Sequence, residues 1–226
     1  MPAPTIVFDL DGTLVDTAPD LIDSLNHTIE AANLPPVSYD DVTHLVGQGA
    51  RTMIERAFKL YDQTIEAEEL DKLMARFIAH YGANMPGKSK PFPGLVDALD
   101  RLKEANFTLA VCTNKTEKLA VQLIDGLGLS HYFAATTGGD TFTVRKPDAA
   151  HLTGTILKAG GDRKKAVMIG DSINDILAAK NAAVPCVAVP FGYTDIPVDQ
   201  LGADRIVRHY DELSPDLLIE LMVRGA

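Results

Sequence analysis

From Leu95 onward the sequence alternates between two periodicities. Leu95 to Ala105 has helical spacing, and Phe107-Thr108-Leu109-Ala110-Val111-Cys112 is a run of strand formers. Glu117 to Gly126 is helical again, Tyr132 to Thr137 is a weaker strand, and Ala149 to Ala159 is a helix closed by Gly160-Gly161. Ala166 to Ile169 and Cys186 to Val189 read as strands on either side of a helix over Ile173 to Ala183. Ile206-Val207 reads as a short edge strand before a helix from about Ser214. Alternation of this kind calls for parallel strands joined by helical crossovers. Thr5-Ile6-Val7-Phe8, another β-branched and aromatic run, must join the same sheet. The expected fold is α/β, a Rossmann-like parallel sheet flanked by helices.

Between the first strand and this alternation lies a stretch of different character. Leu21, Leu25, Thr28 and Ile29 mark one helix face; Met53, Ile54, Ala57, Phe58 and Leu60 mark a second. Leu70, Leu73, Met74, Phe77, Ile78 and Tyr81 mark a third. No strand of any length is evident there. The segment from Pro86 to Gly94, rich in proline and glycine, reads as a loop and boundary. The expected division is an α/β core of residues 1–15 and 87–226, with a helical insertion over 16–86 after strand one.

Composition narrows the partners. The chain has 226 residues, a net charge of −10 and no basic tract, which argues against nucleic acid or an anionic membrane. Two cysteines in apolar runs, Cys112 and Cys186, fit a reduced, cytoplasmic setting. No stretch is long and apolar enough to span a bilayer, and the N-terminus lacks a signal-peptide pattern. The six histidines, at 27, 44, 80, 131, 151 and 209, have no ligand-like spacing and read as surface or packing residues.

Ligand-facing chemistry in an open α/β sheet sits at the C-terminal ends of the strands. Here those ends are polar: Asp9-Leu10-Asp11-Gly12-Thr13, Thr113-Asn114-Lys115, Arg145-Lys146-Pro147 and Gly170-Asp171-Ser172, with Asp175 close behind. Alternation along a strand puts Asp9 and Asp11 on one side, where Gly12 lets the chain turn. Carboxylates bind hard divalent cations, and Mg2+ takes one or two of them together with substrate phosphate. Asp9 and Asp171 are the expected side-chain ligands. Asp9 is then a candidate nucleophile toward phosphorus, and Asp11 a candidate acid/base. Thr113, Asn114 and Lys146 are placed to neutralise phosphoryl oxygens.

With these residues in this order, the sequence resembles the haloacid dehalogenase-like hydrolases over almost its whole length. Asp9 to Thr13 matches the first motif of that family, Val111 to Asn114 the second, Lys146-Pro147 the third and Gly170 to Asp175 the fourth. The resemblance implies an aspartyl-phosphate on Asp9 and acid/base work by Asp11. It also implies Mg2+ held by Asp9, the backbone carbonyl of Asp11, and Asp171. Ser172 and Asp175 stand around the ion, Asp175 orienting the site or contacting a metal-bound water. The helical insertion corresponds to a mobile cap. Gly47, Gln48 and Gly49 at a turn in it, with Arg51 nearby, are expected to meet the leaving group, Arg51 being suited to a carboxylate.

Within the family, Leu45 to Ala50, Cys112 to Lys115 and Gly138 to Phe142 resemble phosphoglycolate phosphatases. The expected substrate is therefore a small phosphorylated metabolite, 2-phosphoglycolate first. A sugar-phosphate phosphatase, a phosphomutase or a pyrophosphatase is an alternative on the same fold. A dehalogenase is disfavoured because Asp11 is present. The expected assembly is a monomer or homodimer.

Overall fold

The computed structural model describes residues 2–39, 49–194 and 196–224. Six parallel strands form the main sheet: β1 (Thr5–Phe8), β4 (Thr108–Cys112), β5 (Phe133–Thr137), β6 (Ala166–Gly170), β7 (Cys186–Ala188) and β8 (Arg205–Ile206). Their order is β5-β4-β1-β6-β7-β8, which puts β1 in the interior and reverses the winding direction beside it. Helices α4 (Leu95–Glu104), α5 (Glu117–Gly126) and α8 (Pro215–Arg224) supply residues to the core on one face. The other face takes residues from α6 (Ala149–Lys158) and α7 (Ile173–Asn181). Alternate strand residues divide between these cores: Ile6, Phe8, Val111 and Ile169 enter the first, while Val7, Ala110, Cys112 and Met168 enter the second. Burial of both faces accounts for the uninterrupted apolar runs of the central strands.

Register brings the strand ends level. Phe8 pairs with Val111 on one side and with Ile169 on the other. The chain leaving β1, β4 and β6 therefore emerges at one edge, carrying Asp9, Thr113 and Asp171.

The segment between β1 and α4 holds α1 (Ala18–Glu30), α2 (Ala50–Leu60) and α3 (Ala67–Asn84). These helices share their own apolar cluster, in which Leu25, Ile29, Ile54, Phe77 and Tyr81 are buried. Leu60, expected on the inner face of its helix, is instead 49% exposed at the last turn of α2. Two-residue strands, β2 (Val15–Asp16) and β3 (Lys90–Pro91), pair antiparallel where the chain enters and leaves this segment. The entry was expected to lack strands and the exit to be loop; elements this short carry no readable periodicity. Asp20, buried in α1, accepts hydrogen bonds from the backbone N–H of Lys88 and of Ser89 and from Ser89 Oγ, tying the returning chain to the outgoing one. No helix among the described residues is long and apolar enough to cross a membrane.

Candidate active site

The four polar strand ends converge. Lys146 Nζ lies 2.7 Å from Asp9 Oδ1 and 2.6 Å from Asp175 Oδ1, and its side chain is only 2% exposed. Asp9 Oδ1 also accepts the N–H of Leu10, leaving Oδ2 with no bonded partner among the described residues. Asp175 opens α7; its Oδ2 accepts from both the backbone N–H and the hydroxyl of Ser172. Ser172 thus orients Asp175. Asp171 Oδ1 accepts from Thr13 Oγ1 at 2.8 Å, and its Oδ2 accepts from the Tyr193 N–H at 2.7 Å.

Two glycines make room for this carboxylate. A Cβ on Gly12, which sits at φ +81°, would come within 2.4 Å of Asp171 Oδ2, and one on Gly192 within 2.3 Å. Only a residue without a side chain lets these two loops close on Asp171.

Asp9, Asp171 and Asp175 each offer an oxygen within 4.8 Å of the others, all buried. One ammonium, Lys146, faces these three carboxylates. Burial first, and then the charge of Asp175, pushes Asp9 well above the usual carboxylate range and Asp171 up to about 7. Burial alone would lower Lys146, but Asp175 and Asp9 outweigh it and hold the ammonium charged. An all-oxygen donor set with surplus negative charge suits a hard divalent cation.

Asp11 faces a different partner. Its Oδ1 accepts from Thr17 Oγ1 at 2.7 Å and from Lys115 Nζ at 2.9 Å. The Lys115 side chain is only 6% exposed, and its ammonium lies over the Tyr81 ring, 4.6 Å from the centroid. Thr113 Oγ1 accepts the N–H of Lys115, and Asn114 Nδ2 donates to the Lys146 carbonyl, fastening the β4 loop to the lysine loop. His151 is fully buried and accepts the Lys146 N–H at Nδ1. Burial and the neighbouring ammonium lower it to about 4, which keeps that nitrogen an acceptor. Its burial fits the packing reading, and the bond to the Lys146 N–H adds a contact that spacing does not show.

Above these groups is a cavity of about 350 Å³ between the sheet edge and the helical segment. Asp9, Asp11, Thr113 and Lys115 form its floor; Met53, Phe77 and Tyr81 are among its walls. Gly49 and Arg51 line it as well. Arg51, however, is half-exposed and ion-paired with Asp71. Gly47 and Gln48 lie outside the described residues.

Sequence reasoning names Lys115 only within the polar end of its strand and Tyr81 only on a helix face, and it does not name Thr17 or Tyr193. Tyr193 links two regions: its N–H holds Asp171, while its hydroxyl donates to Asp16 Oδ1 and accepts the N–H of Ala18 at the start of α1.

Comparison with known proteins identifies the family. Residues 6–189 match the family model described as haloacid dehalogenase-like hydrolase. A phosphoglycolate phosphatase of Agrobacterium fabrum is 59% identical over 99% of this chain and 96% of its own length. One from Mesorhizobium japonicum is 49% identical over 100% and 99%. A crystal structure from Haemophilus somnus, described as a predicted phosphoglycolate phosphatase, superposes with a TM-score of 0.86 at 32% identity, covering 93% of this chain and 96% of that one. The chain belongs to the haloacid dehalogenase-like hydrolase family and is an enzyme of phosphatase type, similar to the phosphoglycolate phosphatases.

Proposed function

We propose that this enzyme is a Mg2+-dependent phosphomonoesterase that converts 2-phosphoglycolate to glycolate and phosphate through an aspartyl-phosphate on Asp9. The observation that carries the reading is the buried convergence of Lys146, Asp171 and Asp175 on Asp9, which together with Asp11 lines the floor of the cavity. The names of its relatives point to the same substrate.

In this reading, Asp9 Oδ2 attacks phosphorus as the bond to the glycolate oxygen breaks, and Asp11 delivers its proton to that oxygen. Asp11 then takes a proton from water, which attacks the same phosphorus; the bond to Asp9 breaks and phosphate leaves. Thr113, Asn114 and Lys146 receive the charge that gathers on the equatorial oxygens. Asp9, Asp171 and the Asp11 carbonyl would hold Mg2+, with Asp175 and Ser172 around it; the ion would offset repulsion between carboxylate and phosphate. Residues 16–86 act as a cap over a core of 1–15 and 87–226, and Gly49 and Arg51 stand on the cap side of the cavity. Closure would exclude water from the first step.

The test is phosphate release with Mg2+ from 2-phosphoglycolate, sugar phosphates, pyrophosphate and an aryl phosphate. A kcat/KM for 2-phosphoglycolate about tenfold or more above the others, worth about 1.4 kcal/mol of transition-state preference, is the expected result. A sugar phosphate or pyrophosphate in first place would overturn the substrate.

The ion carries its own prediction. Asp171, at about 7 without a cation, holds its proton far longer in the folded chain than the usual 3.8 allows when unfolded. The ion-free fold therefore loses stability through this group as pH rises from about 4 to about 7. Mg2+ binds the deprotonated carboxylates and must displace a proton from Asp171 at pH below about 7. Excess Mg2+ is expected to raise the melting temperature more at pH about 8 than at pH about 5.5. An equal rise at both would count against these carboxylates as its ligands.

A further inference from the structure

Among the described residues, two buried side-chain polar atoms have no hydrogen-bond partner, Tyr81 Oη and Asn114 Oδ1, and both residues line the cavity above Asp11. Tyr81 stands in the last turn of α3, its side chain 1% exposed. The charge of Lys115 acts on that hydroxyl, and an ammonium can only donate, so the phenol proton is left without an acceptor, a shortfall of about 1–3 kcal/mol that phenylalanine would avoid. Burial pushes the Tyr81 phenol up to about 12, so it remains a neutral O–H donor.

Its position relative to the acid/base is informative. Lys115 Nζ reaches Asp11 Oδ1 at 2.9 Å and lies 4.6 Å from the centroid of the Tyr81 ring. Lys115 thus stands next to both Asp11 and Tyr81, and all three line the same cavity. In 2-phosphoglycolate a single methylene separates the bridging oxygen that Asp11 protonates from the carboxylate. An ammonium and a phenol hydroxyl are donors of the kind a carboxylate accepts from. Arg51, the residue first expected to read that group, is half-exposed and already paired with Asp71.

We propose that Lys115 and Tyr81, one from the sheet edge and one from the helical segment, form the subsite that binds the substrate's carboxylate and so set the preference for an acidic leaving group. The inference rests on the phosphatase reading above and deepens it. It makes Tyr81 and Lys115 specificity residues; ethyl phosphate, which lacks the carboxylate, has nothing for them to hold.

The experiment compares kcat/KM for 2-phosphoglycolate, 2-phospholactate and 3-phosphoglycerate, each divided by that for ethyl phosphate, in wild type, Tyr81→Phe and Lys115→Met. Division cancels losses that reach both esters, including any that pass through Asp11. The ratio for the preferred acid is expected to fall about tenfold or more in each variant, the scale of a lost charge-assisted hydrogen bond. If 2-phospholactate or 3-phosphoglycerate leads in wild type and its ratio still collapses, the substrate named above fails and the subsite stands. If 2-phosphoglycolate leads but both variants keep the wild-type ratio, the subsite is overturned and the substrate stands. If no acid outruns ethyl phosphate in wild type, both fall. Tyr81→Phe removes one oxygen from a ring that keeps its packing, so folding does not obscure the result.

Discussion

Replacing Asp9 by asparagine abolishes phosphate release, by about 10⁴-fold or more, and leaves the ion-free protein at least as stable as wild type. The magnitude is that of removing a covalent nucleophile from a set of groups acting as a unit. An amide of the same shape can still accept from Leu10 N–H and Lys146 Nζ through its oxygen, so the surrounding loops keep their contacts. What changes is charge. Asp9 lies among Asp171 and Asp175, and burial together with the Asp175 charge holds it well above the usual carboxylate range. Its ionised form is therefore costly in the folded, ion-free state, and neutralising it relieves that cost. Activity and stability move in opposite directions, as expected where a site stores unfavourable charge for function. Phosphate release and a melting curve without divalent cation check both halves. Turnover within tenfold of wild type would remove Asp9 from the nucleophile's role; a large loss of stability would mean that its charge is well compensated before any ion binds.

How much of this was legible depended on the length scale of each signal. The strands were readable because burial on both faces forces uninterrupted apolar runs, and their polar ends stood out against those runs. Asp9, Asp11, Lys146 and Asp171 could thus be named from order alone. Lys115 was in view as the residue after Thr113-Asn114, but nothing local reveals that its ammonium turns to Asp11. Tyr81 fell on the apolar face of α3 and looked like core, which it is; its hydroxyl matters only because of what lies across the cavity. Tyr193 belongs to a loop without periodicity, and its partners Asp171 and Asp16 are distant in sequence. His151 was judged by metal-ligand spacing, whereas its contact is with a backbone N–H five residues away. In each case the missing information was a tertiary contact, which residue type and local spacing do not encode.

Lys146→Met is the second large effect, and it separates two things the ammonium does. Lys146 stands between Asp9 and Asp175 at 2.7 and 2.6 Å, nearly out of solvent. A methionine fills similar volume but leaves two buried carboxylates facing each other, and breaking a buried pair in this way costs about 3–5 kcal/mol. The deficit grows with pH. Asp9 is already held well above its usual range by burial and by Asp175, and losing Lys146 removes the charge that opposes this. The folded variant therefore keeps a proton on Asp9 to higher pH than the unfolded chain and loses stability as pH rises past the unfolded value. A divalent cation in the same cluster supplies positive charge at nearly the same place, so Mg2+ is expected to stabilise Lys146→Met more than it stabilises wild type. Turnover does not follow. An ion bound to carboxylates cannot replace an ammonium directed at a phosphoryl oxygen, and kcat is expected to stay down by about 10²–10³-fold, the usual cost of losing one such donor. Melting curves and kcat, each measured across a Mg2+ titration, decide the matter. Recovery of both together would reduce Lys146 to a counterion for the acidic cluster, whereas recovery of stability alone leaves it acting on the transferring group.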